Sequence, residues 1–166
     1  MISRHSINVY PFFSGLEPEH IRILVEAANR VSVKPGYHFF RTGEELDSFY
    51  LVVDGEVGIY IEVTDQDVEQ TLTMQLTRDL VTKDIIVSTV GPGEVFGWSA
   101  LVPPHESTGG AKAIKASQVI EFNCKDLRPI IKSDSHFAYL LTLKAAQIIR
   151  KRLRDKCVEM LSEIMA

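Results

Sequence analysis

The chain of 166 residues is poor in cysteine and has no long apolar run. Its two cysteines, Cys124 and Cys157, lie far apart and form no CxxC pair. No disulfide framework is therefore expected, and a reducing compartment is favoured. No segment approaches the roughly 18 consecutive apolar residues of a membrane-spanning helix, and the N-terminus lacks the apolar core of a signal peptide. We expect a cytoplasmic protein without a membrane partner.

An excess of basic charge and the common catalytic signatures are also missing. The formal net charge is -4, which argues against a dedicated nucleic-acid-binding protein. No GxSxG, P-loop or HExxH pattern occurs, so we expect no enzyme. Isolated histidines at 5, 20, 38, 105 and 136 show no metal-ligand spacing. The expectation is therefore no metal and no cofactor.

The sequence instead has the pattern of one domain, with a helical segment over 1–29, strands over 30–122 and helices over 123–166. Ser14 and Glu17 form a capping-box pattern that predicts a helix over Glu17–Ala28. Asp54-Gly55, between two β-branched and aromatic runs, predicts a hairpin. Alternating apolar residues over 72–76 predict a half-buried strand. Many short strands with regular turns favour an antiparallel sandwich or barrel.

The C-terminal third predicts two capped helices. Asn123 caps a short helix that runs to about Ile131, and Ser133 or Asp134 caps a long helix over about 136–164. One apolar stripe of the long helix, at 141, 145, 148 and 149, is predicted to pack on the strands. A second stripe at 3-4 spacing predicts a homodimer seam; both stripes packing within one chain remains the alternative. The predicted dimer residues are Leu143, Ala146, Leu153, Cys157, Met160 and Ile164. A basic run over 150–156 is interpreted as solvated, with nucleic acid a lesser alternative.

The stretch from Val90 to Ala116 is the strongest candidate for a ligand pocket. It combines a Gly-Pro-Gly turn, one predicted helical turn that begins at Trp98, and a polar loop over 105–110. A helix start of this kind attracts anions. The alternative is that the stretch is only a corner of a β-barrel.

Four glycine-bearing segments occur in an order that resembles the cyclic nucleotide-binding domain of the catabolite activator and fumarate-nitrate regulator type. They read Y-P-F-F-S-G-L-E-P-E-H-I, V-K-P-G-Y-H-F-F-R-T-G-E, D-S-F-Y-L-V-V-D-G-E-V-G-I-Y and V-G-P-G-E-V-F-G. The resemblance implies an α+β, mainly β fold. Its centre is a jelly-roll-like β-roll, or double-stranded β-helix, with an N-terminal helix and a long C-terminal dimerisation helix. The sequence stops inside or just past that helix, so we expect a sensor or interaction module without a reader of the DNA major groove, unless the sequence was cut from a longer protein.

The resemblance also implies a phosphate-binding cassette after the P-G-E-x-F-G turn, and here the sequence departs from the family. Trp98 stands where the family has a ribose-binding glutamate, and Gly110 aligns with the phosphate-binding arginine. No arginine occurs from Gly91 to Lys115. Lys112 or His105 could replace it only as weaker point charges. We therefore expect weak or no binding of cyclic AMP or cyclic GMP.

The leading hypothesis is a regulatory module that binds another small ligand and signals through the long helix. The predicted ligand-binding residues are Gly97, Trp98, Ser99, Ala100, Ser107, Thr108, Gly109, Gly110 and Ala111. One alternative is a degenerate domain kept for dimerisation or docking to a protein partner. Another is haem or metal sensing, which is known among relatives of the family.

Overall fold

The structure is a computed structural model that describes residues 7–69, 71–77 and 81–166. Near the N-terminus, a 3₁₀ turn over Pro11–Phe13 precedes helix α1, Pro18–Glu26. The predicted capping box is wrong, because Ser14 ends the 3₁₀ turn and Glu17 makes no side-chain capping bond at the N-cap of α1. Pro18 starts the helix with its φ already set and without an N–H to satisfy.

In the described part of the chain, eight strands form two four-stranded antiparallel sheets, which confirms the predicted β-roll. The first sheet has the order β1-β8-β3-β6 and the second the order β2-β7-β4-β5. The strands are β1 Ala28–Val33, β2 His38–Phe40, β3 Ser48–Asp54, β4 Val57–Thr64, β5 Thr82–Val90, β6 Val95–Phe96, β7 Gly110–Ala113 and β8 Ser117–Asn123. Consecutive strands therefore often belong to different sheets, as a roll requires.

The predicted hairpin at Asp54-Gly55 is wrong, although the turn itself is present. Strand β3 pairs with β6 and β8, whereas β4 pairs with β5 and β7, so the turn is a corner between the two sheets. Gly55 has a φ of +94°, and a Cβ there would lie 2.3 Å from the Ser117 hydroxyl. Gly55 packs closely against the corner between β7 and β8, which lies much later in the chain. This packing, and not the local sequence, determines that β3 and β4 belong to different sheets.

The predicted strand over 72–76 is also wrong, because this segment forms helix α2, Leu72–Thr77. The Thr71 hydroxyl accepts the N–H of Met74 at 3.3 Å, as a capping residue does. Leu72 and Leu76 are 77% and 84% exposed. The alternating apolar side chains do not pack against a sheet, so the local hydrogen bond from the Thr71 cap determines that this segment is a helix.

An aromatic cluster ties the N-terminal turn to the first sheet. The Phe49 and Phe122 rings stack at 4.6 Å between centroids, and Phe13 lies 5.4 Å from Phe122. All three side chains are at most 1% exposed. Such pairs add to the stabilisation that burial of the rings already provides. The sheet that carries the candidate site is thereby fixed to the N-terminal segment.

Two capped helices complete the chain: α3, Cys124–Ser133, and α4, Ser135–Met165. The caps are as predicted, since Asn123 accepts the N–H of Lys125 and Asp134 accepts the N–H of Phe137, both at 2.9 Å. Helix α4 is anchored by buried side chains at Phe137, Leu141 and Ala145. None of the described helices is long and apolar enough to cross a bilayer.

Candidate functional site

The Gly-Pro-Gly turn is fixed to the first sheet at one side and to α4 at the other. Gly93 has a φ of +84°, and its N–H donates to Val52 O at 2.8 Å. The Glu94 carboxylate accepts the N–H of Gly91 at 3.0 Å and forms an ion pair with Lys151 of α4. Burial acts to raise the pKa of Glu94, but the Lys151 and Gly91 hydrogen bonds outweigh it and lower the pKa.

The predicted helical turn after strand β6 is present as a 3₁₀ turn over Trp98–Leu101. Gly97 precedes it with a φ of +75°, and a Cβ at this position would lie 3.2 Å from Ser48 O. The left-handed backbone and the close approach of strand β3 both require glycine here. Because the chain reverses at Gly97, Trp98 and Ser99 are held beside the edge of the roll.

The polar loop that follows is bound to the turn between β2 and β3. The N–H of Ser107 donates to Glu44 O at 2.9 Å, and its hydroxyl donates to Arg41 O at 2.5 Å. The N–H of Leu46 donates to His105 O at 2.7 Å. These bonds hold the loop opposite the 3₁₀ turn, and a cavity remains between the two.

This cavity has a volume of about 30 Å³, room for roughly two water molecules. Most of the predicted ligand-binding residues surround it. Its lining consists of Phe40, Leu46, Ile59, Gly97, Trp98, Ser99, Ser107, Thr108, Gly109 and Arg152. Three predicted residues, Ala100, Gly110 and Ala111, are not among them. Ala100 and Ala111 are at most 1% exposed and belong to the hydrophobic core.

Gly110 faces a tyrosine ring and does not line the cavity. A Cβ on Gly110 would lie 2.0 Å from Cζ of Tyr60, its partner across the β4–β7 pair. Tyr60 is fully buried, and its hydroxyl lies 2.9 Å from Nδ1 of His38. A side chain at 110 would therefore collide with Tyr60. The alignment of Gly110 with a ligand-contacting residue stays a prediction, and the Tyr60 ring occupies the direction in which a side chain at 110 would point.

A guanidinium reaches the cavity from the long helix. Arg152 of α4 lines the cavity, and its Nη2 donates to Val95 O at 3.0 Å. Burial lowers the pKa of Arg152, and nearby Glu94 acts in the opposite direction. Within the described residues, no carboxylate lies within ion-pair distance of this side chain.

The lack of an arginine from Gly91 to Lys115 therefore does not leave the cavity without a guanidinium, because Arg152 reaches it from a helix much later in the chain. A signal exists in the sequence, because Leu141, Ala145, Ile148 and Arg152 continue one stripe at 4-3-4 spacing. A residue on the stripe that packs against the roll points toward the roll.

The other two cations considered for this role are engaged elsewhere. Lys112 forms an ion pair with Asp84 at 2.7 Å and lies over the Tyr60 ring. Nδ1 of His105 lies 3.2 Å from Ser99 O. Neither residue lines the cavity. The described ranges contain no group of three or more histidine, cysteine or acidic residues placed to hold a metal ion.

The small cavity continues into a wider groove between α4 and strands β4 and β5. This groove has a volume of about 700 Å³ and shares Ile59, Trp98, Thr108, Gly109 and Arg152 with the cavity. Its walls add apolar and charged side chains from both sides: Ile61, Ile86, Val87, Ser88, Thr89, Ile149, Leu153, Asp155, Lys156 and Glu159. A ligand in the cavity and groove would touch the roll and α4 together.

The predicted dimer residues all lie on exposed positions of α4. The exposed fraction is 38% at Leu143, 65% at Leu153, 59% at Met160 and 77% at Ile164. The stripe predicted to pack on the strands behaves differently, since Leu141 and Ala145 are buried against the roll. The two stripes are therefore distinct, and only one of them is used within this chain.

Comparison with known proteins agrees with this architecture. The family model of the cyclic nucleotide-binding domain matches residues 30–134, which cover the roll and α3. The chain belongs to this family. The resemblance seen in its glycine turns is thereby confirmed, together with the predicted fold.

Relatives of this cyclic nucleotide-binding domain include regulators. It is 23% identical over 150 residues to the cyclic AMP receptor protein of Thermus thermophilus and 22% identical over 142 residues to a CRP-like cAMP-activated global transcriptional regulator of Mycobacterium tuberculosis. These matches cover 90% and 86% of this chain but only 60% and 54% of the relatives. The chain therefore spans little more than half the length of these curated relatives.

A solved structure from Geobacter metallireducens GS-15, of a protein described as cyclic nucleotide-binding, superimposes on the domain over nearly its whole length. The TM-score is 0.74 with 25% sequence identity, covering 92% of this chain and 99% of that one. These relatives are described as regulators or as cyclic nucleotide-binding. The likeness extends the family's fold from the roll to nearly the whole of this chain.

Proposed function

We propose that this domain senses a small ligand other than cyclic AMP or cyclic GMP and transmits binding through helix α4. The observation that carries the proposal is the composition of the pocket, in which Trp98, Ser107 and Thr108 of the roll face Arg152 of α4. A ligand held by both elements binds one position of α4 better than others, which is the condition for a conformational response.

Two features support a ligand that differs from those of the named relatives. The bulky side chain of Trp98 lines the cavity at the position where the resemblance implies a ribose-binding glutamate. The cation in the lining comes from α4, so its position relative to the turn after Gly97 differs from that of a cation within the cassette. Both features change the shape that the pocket presents to a ligand.

The lone tryptophan of the chain, Trp98, lines the cavity and reports on its occupancy. We expect Trp98 fluorescence to change saturably with at least one compound from a panel of anionic and neutral metabolites. Cyclic AMP and cyclic GMP should give no saturable change at millimolar concentration. Micromolar binding of either cyclic nucleotide would refute the ligand assignment, and a panel without any response would refute the sensor function.

A second candidate function is a dimerisation module that binds no ligand, and the exposed stripe of α4 favours it. Burial of this stripe against a twin would remove several large apolar side chains from water. Sedimentation velocity should then show a dimer for the wild type. It should show a monomer for Met160→Glu, which places a charge on the stripe.

The control for this experiment is Ser162→Glu, on the opposite side of the same helix, which should leave the dimer intact. A wild-type chain that remains monomeric at 100-fold different concentrations, with an unchanged unfolding temperature, would refute dimerisation.

A further inference from the structure

The guanidinium of Arg152 is half-buried and has few partners in the described chain. Its one hydrogen bond within the described chain goes to a carbonyl oxygen, Val95 O at 3.0 Å. Glu94, whose charge acts on Arg152, is already bound to Lys151 and to the N–H of Gly91. Partial burial of a charge without a paired countercharge costs free energy. The site therefore has the capacity to accept an anion.

Backbone groups around the same cavity also lack acceptors. The N–H groups of Thr108 and Gly109 donate to no acceptor within the described residues. Both residues line the cavity together with Arg152. Thr108 is exposed and Gly109 is partly exposed, so their N–H groups are accessible to a ligand. Donors from the loop and from α4 therefore line the same cavity.

We propose that Arg152 is the cation of this pocket and that the ligand is an oxyanion-bearing organic molecule bound between Arg152 and the loop at 107–109. This inference rests on the proposed sensor function and specifies its ligand class. A guanidinium presents paired N–H donors that match carboxylate and phosphate oxygens.

The groove specifies the remainder of the ligand. From the cavity outward, the roll contributes Ile59, Ile61 and Ile86, and α4 contributes Ile149 and Leu153. Isoleucine and leucine side chains bind the apolar part of a ligand, while few polar groups fix its orientation. The anion of the ligand lies at Arg152 and its apolar body lies along this wall.

The experiment uses the whole chain and three matched probes: hexyl phosphate, inorganic phosphate and 1-hexanol. Trp98 fluorescence is followed at constant ionic strength, with chloride as the balancing anion. We expect hexyl phosphate to bind more tightly than either part alone. Arg152→Gln should weaken hexyl phosphate binding at least about ten-fold, since hydrogen bonds to charged groups contribute more than neutral ones.

Two further variants separate binding from structure. Arg152→Lys keeps a point charge but loses the paired donors, so its affinity for hexyl phosphate should lie between those of the wild type and Arg152→Gln. Arg150→Gln removes an exposed arginine from the same helix and should bind as the wild type does. Unfolding temperatures measured without a probe show whether any variant has lost its fold.

Each result decides between the two proposals. Equal binding of hexyl phosphate by the wild type and Arg152→Gln would overturn the role of Arg152. Binding of neutral compounds alone, with no response to either phosphate, would overturn the anion assignment while the sensor function stands. The absence of a response to these probes and to the whole metabolite panel would overturn both.

Discussion

Gly110 is the position at which the family resemblance and the geometry disagree, and Gly110→Ala tests the geometry directly. The added Cβ would lie 2.0 Å from Cζ of Tyr60 and 2.4 and 2.5 Å from its two Cε atoms. Nonbonded carbon atoms prefer about 3.5–4.0 Å, so the overlap is well over an ångström. Tyr60 can move only by giving up its 2.9 Å contact with His38.

We expect Gly110→Ala to lower the free energy of unfolding by about 2–3 kcal/mol, at the upper part of the range for overpacked cores. Urea unfolding at one fixed protein concentration measures this change, because association would otherwise contribute. Gly91→Ala is the control. A Cβ at Gly91 meets nothing within 4 Å, and its φ lies outside the left-handed region, so its effect should be small.

The double variant identifies the cause. In a Tyr60→Ala background the ring is gone, and Gly110→Ala should then cost close to nothing, which gives a coupling of about 2 kcal/mol. If Gly110→Ala is harmless in the wild type, or costs the same in both backgrounds, the ring does not occupy this direction. That result would refute the conclusion that a side chain at position 110 points toward Tyr60 and away from the ligand.

Three further predictions concern other parts of the chain. Cys124 is fully buried, and burial raises its pKa to about 12. A thiol reagent should therefore modify the exposed Cys157 rapidly and Cys124 slowly. Equal rates of modification at the two cysteines would contradict this prediction. Burial acts to raise the pKa of Glu94, but the Lys151 and Gly91 hydrogen bonds and the charges of Lys151 and Arg152 together lower it below its usual value of 4.5. The stabilisation is present above this value and is lost as the pH falls through the lowered pKa. Glu94→Gln should remove this part of the acid destabilisation in urea unfolding between pH 6 and 3. Asn123→Ala should cost about 1 kcal/mol through loss of the α3 cap, while Asn123→Ser should retain most of the stability.

The parts of the fold that sequence could predict depend on local chemistry. The turn at Lys34–Tyr37, with Gly36 at a φ of +85°, and the caps at Asn123 and Asp134 are determined by residues within a few positions of one another. The partner of strand β3 is not determined locally. Asp54-Gly55 favours a tight turn in any context, and only the packing of Gly55 on Ser117 shows that the turn is a corner.

The same distinction applies to the candidate site. Gly97, Trp98, Ser99, Ser107, Thr108 and Gly109 lie in one short segment, and the sequence pattern was sufficient to group them. The sequence pattern could not determine the register of strand β7, where a shift of one residue turns a side chain to the other face of the sheet. It could not assign Arg152 to the cavity for a related reason. The stripe on α4 indicates which helix face packs on the roll, but not which turn of the roll it meets.

The position of Arg152 has a consequence for how a signal would travel. When the cation that holds an anion belongs to the helix that responds, ligand binding acts on that helix without an intermediate element. The ligand can shift the equilibrium between two positions of α4 only by as much as its affinities for those two positions differ. Linkage also works in reverse, since whatever fixes α4 in the binding position raises ligand affinity by the same factor. Pairing of the exposed stripe at Leu153 and Met160 with a twin helix is one such influence, and ligand binding and dimerisation would then depend on each other through a single helix.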